Sequence, residues 1–310
     1  MRPSVGRRSV PGRCDDVTTE GHRWPGTLVA LAAHPDDVAP AWAEHAQGVT
    51  YADGCWFTTQ ADRIWRFPVD LDLAHAGDAH PAVSSAGIPE PDIDHLGDCD
   101  VHRGALYVAM EGGPLARVGL FDLDLGFVGS APLGAQGASC PWCAIDPRTG
   151  LLYSSPFDTD HLSVYRVVRG GGSLGFRHVR DVPLLTDDGA SLTLERVQGG
   201  AFSRQGHLYL TSDRRDGGIS GVDVESGRRR LHVTIPFEPE WPDNEVIEGL
   251  TLVDLDEAGP AWLRGTLHVL VLSISPEASD TIWLRHYDTA EDRTDARSEV
   301  ALAIDDRGRG

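Results

Sequence analysis

The sequence predicts an all-β, single-domain β-propeller, and three observations carry that prediction. One strand–turn–strand pattern recurs five times along the chain. No segment longer than about six residues carries a helical period. Glycine and proline, 35 and 20 of 310 residues, supply turns throughout.

The five repeats read QGVTYADGCWFTT from Gln47, GDCDVHRGALYVAM from Gly97, PWCAIDPRTGLLYSS from Pro141, QGGAFSRQGHLYLTS from Gln198 and EGLTLVDLD…RGTLHVLVL from Glu248. Each opens on a small or polar residue, passes a glycine-containing turn and enters a strand centred on an aromatic or β-branched residue. A third strand follows in RIWRFPVD, RVGLFDLD, HLSVYRVV, GISGVDVE and TIWLRHYD. Fourth strands fit FVGSAPL, FRHVRDVPLL and RRLHVTIPF. The second-strand aromatics Phe57, Tyr107, Tyr153 and Tyr209 are 50, 46 and 56 residues apart, close to the spacing of propeller blades. Five motifs favour five blades. The terminal segments Gly26–Ala33 and Glu299–Ile304 each read as one strand, and one of them is expected to complete the last blade and close the ring. A sixth blade built from both ends and an irregular β-sandwich are the alternatives.

Residues 1–24 are arginine-rich without a following apolar stretch, and read as a flexible tail ahead of a propeller domain over 25–310. No apolar run approaches the ~18–20 residues of a membrane helix. The expected location is cytoplasmic. The formal net charge of −20 argues against nucleic acid and anionic membranes as partners. All 27 basic residues are arginine; without lysine, Schiff-base and pyridoxal chemistry and a P-loop are excluded. No nucleotide, pyridoxal phosphate or flavin is expected. The five cysteines have no framework spacing and read as reduced thiols. Oligomeric state is left open.

In a propeller the first strand of each blade lines the central channel and begins at the face where the second strand ends. Residues before first strands and after second strands therefore converge on one mouth. This selects His45 and Gln47, His95 and Asp98, Trp142, Arg196 and Gln198, and Glu248, together with Glu111 and Asp213. His45 and His95 share a repeat position, as do Gln47, Gln198 and Glu248. The expected catalytic set is His45, His95, Asp98, Arg196 and Glu248. In it the imidazoles transfer protons, Arg196 stabilises an anion, and Glu248 and Asp98 act as acid/base groups or metal ligands. Gln47, Glu111, Trp142, Gln198 and Asp213 are the expected substrate contacts.

The chain resembles the calcium-dependent propeller enzymes of the gluconolactonase/regucalcin and phytase-like kind. The resemblance covers the blade pattern over most of Gln47–Asp288 and is most specific at Glu248-Gly249-Leu250, which is similar to the Glu-Gly strand start whose glutamate binds the central metal in gluconolactonase-like proteins. It implies Glu248 as a metal ligand, with Asp98 as the nearest substitute for the asparagine and aspartate ligands of those proteins. Asparagine is absent from the corresponding positions. Oxygen ligands favour Ca²⁺ or Mg²⁺, whereas His45 and His95 favour a transition metal.

Two short motifs copy other chemistries. Ala33-His34-Pro35-Asp36-Asp37 follows an apolar run as in zinc-dependent deacetylases, but the alternating strands and helices of that fold do not follow; a strand and a Pro-Asp turn is the simpler reading. Cys140-Pro141-Trp142-Cys143 copies a dithiol motif but enters a strand, where no helix N-terminus lowers a thiol pKa. Three functions remain. The leading one is a divalent-metal-assisted hydrolase of an ester, lactone or phosphoester. The others are a metal-independent acid/base isomerase or cyclase using the same pocket, and a non-catalytic binding propeller.

Overall fold

The computed structural model describes residues 28–289 apart from 78, 91, 171–172, 215–216, 236–244, 254–259, 261 and 275–278. Its strands form five four-stranded antiparallel sheets. Blade 1 holds β2 (Ala46–Ala52), β3 (Cys55–Gln60), β4 (Arg63–Pro68) and β5 (Ala82–Ser84); blade 2 holds β6 (His95–His102), β7 (Ala105–Glu111), β8 (Arg117–Asp122) and β9 (Phe127–Pro132). Blade 3 holds β10 (Cys143–Ile145), β11 (Leu151–Ser154), β12 (His161–Gly170) and β13 (Ser173–Pro183); blade 4 holds β14 (Val197–Phe202), β15 (Leu208–Ser212), β16 (Gly218–Asp223) and β17 (Arg228–Val233). Blade 5 combines β18 (Glu245–Leu252), β19 (Leu267–Ser273) and β20 (Thr281–Asp288) with β1 (Val29–Ala33) from the other end of the chain.

This is the five-bladed propeller expected, closed by a terminal strand: β1 pairs antiparallel with β20 as the outer strand of blade 5. The other terminal candidate, Glu299–Ile304, lies outside the described residues, as does the segment read as a tail. The fourth strand of blade 1, β5, has only three residues and no sequence signal of its own. The only helices among the described residues are the 3-10 turns Leu73–His75 and Ser85–Gly87. Among the described residues no helix is long and apolar enough to cross a membrane.

The core is divided by the blades. Five buried clusters fill the five seams between adjacent sheets, so each sheet buries both faces. Strand alternation sorts side chains between neighbouring seams. In β19, Leu270 and Leu272 pack toward blade 1, whereas Val269 and Val271 pack toward blade 4. Every residue of β19 is buried, which is why this strand reads as a continuous apolar run rather than an amphipathic one.

Candidate functional site at the channel mouth

Four of the five first strands carry an extra residue at the same point. The pairing of first and second strand slips between Ala46 and Gly48, Leu96 and Cys99, Val197 and Gly199, and Ile247 and Leu250. Such a bulge bends the strand and re-aims its side chains. It aligns Gln47, Gly97, Gln198 and Glu248 at one level, and Gly48, Asp98, Gly199 and Gly249 at the next level down the channel.

At that lower level the first strands converge. A Cβ on Gly48 would lie 2.5 Å from Asp98 Oδ1, one on Gly199 2.6 Å from the Gly249 Cα, and one on Gly249 2.7 Å from the Gly48 Cα. Glycine is required because backbones approach where side chains would otherwise stand. Asp98, fully buried, fills the axis alone. Its carboxylate accepts from the amides of Val49 (3.3 Å), Cys99 (2.9 Å) and Gly200 (3.1 Å), and from that of Leu250. These are the same position in four blades. Desolvation pushes the Asp98 pKa well up, and the four amides offset part of that rise. Threonines at matching positions clamp the seams: Thr59 Oγ1 donates to the Gly97 carbonyl at 2.7 Å and Thr211 Oγ1 to the Glu248 carbonyl at 2.6 Å.

Above this hub lies Glu248, 3% exposed. Its Oε2 is buried without a hydrogen-bond partner. Burial, then the nearby Asp213 and Asp98 carboxylates, push its pKa well up, against an opposing pull from Arg196. Arg196 grips Asp213 through both Nε and Nη2 and stacks over Phe157 at 5.1 Å. Gln198 Nε2 donates to Asp213 Oδ2 at 3.1 Å. Both Arg196 and His45, which precede equivalent first strands, hold left-handed backbone angles, φ 54° and 50°, a region non-glycine residues seldom adopt.

The expected residues therefore fall into separate groups. Glu248, Arg196, Gln198 and Asp213 gather at the blade 4–5 side of the mouth, with Asp98 beneath. Across the mouth, the His95 Nε2 donates to Gln47 Oε1 at 3.0 Å. Glu111 lies opposite His95 across β6 and β7 and accepts from the Cys140 amide. His45 turns to the rim, where its amide donates to Asp280 Oδ2 at 2.9 Å and its ring lies 3.8 Å from Glu44.

Two placements differ from the sequence reading. The Asp98 oxygens are occupied by backbone amides, so the carboxylate serves the ring's centre rather than a cation shared with Glu248. Trp142 is fully buried; its indole donates to Ser155 Oγ at 3.0 Å and packs on Gly200, in the blade 3–4 seam. A side chain with no exposed surface offers substrate nothing. Asp280 was absent from the sequence reading because it lies ahead of a third strand, where no repeat position flags it. With Glu44 and His45 it forms a group whose ligand atoms all lie within 4.8 Å of one another.

The copied motifs have ordinary surroundings. Cys140 and Cys143 are buried free thiols, and burial pushes Cys140 up to about 12, away from the thiolate that redox chemistry needs. His34 bonds Asp72 at 3.1 Å and stacks on Trp262.

No protein-family model matches the sequence, and no curated protein matches it. Solved structures are similar to the chain at low identity. The chain is 10% identical to a luciferin-regenerating enzyme over 78% of this chain and 76% of that one, with a TM-score of 0.45. It is 12% identical to the PQQ-bound aldose sugar dehydrogenase of Streptomyces coelicolor over 86% and 100%, TM-score 0.45. It is 11% identical to regucalcin, a calcium-binding protein of Agrobacterium tumefaciens strain C58, over 78% and 76%, TM-score 0.42.

Proposed function

We propose that the protein is a small-molecule enzyme whose active site is the channel mouth and whose proton donor is Glu248. One observation carries the reading: a buried carboxyl oxygen with no hydrogen-bond partner, held above a hub that needs no help from it. Leaving a buried polar atom unpaired costs stability, and such a group is retained where it has another use. Burial, then the Asp213 and Asp98 carboxylates, raise its pKa and so favour the protonated form, the state a general acid requires. Gln198, fixed by Asp213, and Gln47, fixed by His95, orient substrate from opposite sides. His95 is placed for proton transfer across the mouth. Hydrolysis of an ester, lactone or phosphoester, in which water adds to the acyl or phosphoryl centre while Glu248 protonates the leaving oxygen, matches these parts without a metal.

A second reading keeps the divalent cation and moves it. Glu44, His45 and Asp280 at the rim offer one imidazole and two carboxylates, a donor set suited to a transition metal or to Ca²⁺ with added water. Metal analysis of the purified chain and of His45→Ala and Asp280→Asn separates the two readings.

The test of the first is a chromogenic and pH-indicator screen against nitrophenyl esters, nitrophenyl phosphates and lactones. Glu248→Gln should lower any turnover by about 100-fold or more, while Glu225→Gln, an exposed acid between β16 and β17, leaves it unchanged. Equal effects of the two substitutions in folded proteins would remove the mouth as the active site and favour a binding propeller.

A further inference from the structure

On the face opposite the mouth, between blades 2 and 3, lies a cavity of about 600 Å³. Its walls come from the β6–β7 turn, the β10–β11 turn and the end of β12. We propose that this cavity binds a small organic phosphate, gripped by Arg103, Arg166 and Arg169. The site is separate from the mouth and does not depend on the function proposed for it.

Three arginines line this cavity in a chain whose net charge is −20. None of them forms an ion pair among the described residues. The nearby Asp146 is engaged elsewhere: its oxygens accept from Arg148 and Thr149. Arg169 is fixed in place, donating to the Tyr107 hydroxyl and lying over its ring at 5.5 Å. Burial, and then the charges of Arg103 and Arg169, hold the His102 pKa down.

Two local rules are broken here. The β6–β7 turn places Arg103 at φ 50° and Gly104 at φ 72°. The corresponding blade 1 turn uses Asp53 and Gly54 at φ 49° and 74°, the Asp-Gly pair such turns favour. Arginine has no such preference, so the turn geometry does not explain it. In addition, Arg166 stands directly opposite Arg177 on the neighbouring strand, and like charges so placed repel. A bound anion relieves both the repulsion and the uncompensated charge.

Size and lining identify the class. Guanidinium groups bind phosphate through paired hydrogen bonds. The cavity falls in the range of small-molecule sites and exceeds what a bare phosphate fills. Tyr107, Leu151 and Val167 give an apolar wall for an organic part. A long polyanion is disfavoured by the acidic remainder of the chain.

The test is calorimetric titration of the full chain with pyrophosphate at low ionic strength, beside citrate. One site per chain is expected, weakened about tenfold or more in Arg103→Gln and in Arg166→Gln and unchanged in Arg230→Gln on blade 4. The proposal fails if wild type does not bind, if Arg230→Gln loses as much affinity as the pocket variants, or if citrate binds more tightly than pyrophosphate. Hydrogen exchange of wild type keeps it testable should a variant misfold. Pyrophosphate should protect the amides of Arg103, Gly104 and Gly150 relative to chloride at equal ionic strength; unchanged exchange overturns the site.

Discussion

The carboxylates of Asp98 and Glu248 are both shut off from solvent near the propeller axis, 0% and 3% exposed. Glu248 feels the charge of Asp98. Asp98 receives four backbone amides, one from each of four first strands. Glu248, one level up, leaves Oε2 with none. Burial raises both pKa values; four hydrogen bonds offset part of the rise at Asp98, whereas at Glu248 only the charge of Arg196 pulls against it. Two acids in one channel thus have opposite relations to the fold: one gathers the blades, and the other is tolerated by them.

Removing the gathering group should give the largest effect. Asp98→Ala strands four inward amides and is expected to cost roughly 4 kcal/mol or to prevent folding, read by urea denaturation. Asp98→Asn, which keeps one acceptor oxygen, should lose less. A loss below about 1 kcal/mol in Asp98→Ala would erase the contrast between the two acids, since that is the worth of one ordinary hydrogen bond.

Gly249→Ala tests the same hub through packing. The new methyl would meet backbone at Gly48, which cannot swing aside as a side chain can. A cost of roughly 2–3 kcal/mol is expected. Near-neutral behaviour would mean that the strands are less closely drawn together than described.

Thr211→Val should cost about 1 kcal/mol, because the Glu248 carbonyl loses a side-chain donor while the shape is kept. It leaves the Glu248 carboxyl in place, so a change in activity much greater than the stability loss would blur the division between scaffold and site.

Glu248→Gln should change stability least, by about 1 kcal/mol or less at pH 5. The sign with pH sharpens the comparison. A carboxyl whose folded pKa lies above its unfolded value near 4.3 gives stability that is complete below that value and is lost as pH rises toward the folded pKa. Wild type should therefore weaken relative to Glu248→Gln as pH rises above the unfolded value, and the difference in melting temperature should change with pH. A constant difference would mean that Glu248 ionises normally and is no general acid.

Much of the ring was legible because it repeats. The Gln-Gly and Glu-Gly pairs at Gln47, Gln198 and Glu248 marked a common level, and the bulges show why that spacing matters. Asp98 also sat in the pattern, but its role was not visible. In sequence it resembles a substrate-facing acid; the convergence of amides from residues 49, 99, 200 and 250 on one point exists only in the closed ring. Trp142 misled for a related reason, since β10 has only three residues and the stretch before it runs into a seam rather than out to the mouth.

The repeat, the order of the first three strands in each blade and the level of the polar residues were determined by the sequence itself, which favoured five blades over six, through periodicity and turns, which are local properties of a chain. The tertiary structure decided which end closes the ring, which of two buried acids is satisfied, and that three arginines from distant segments share one cavity. Those outcomes depend on contacts between blades, and a contact between residues far apart in the chain leaves no mark on the local pattern of either.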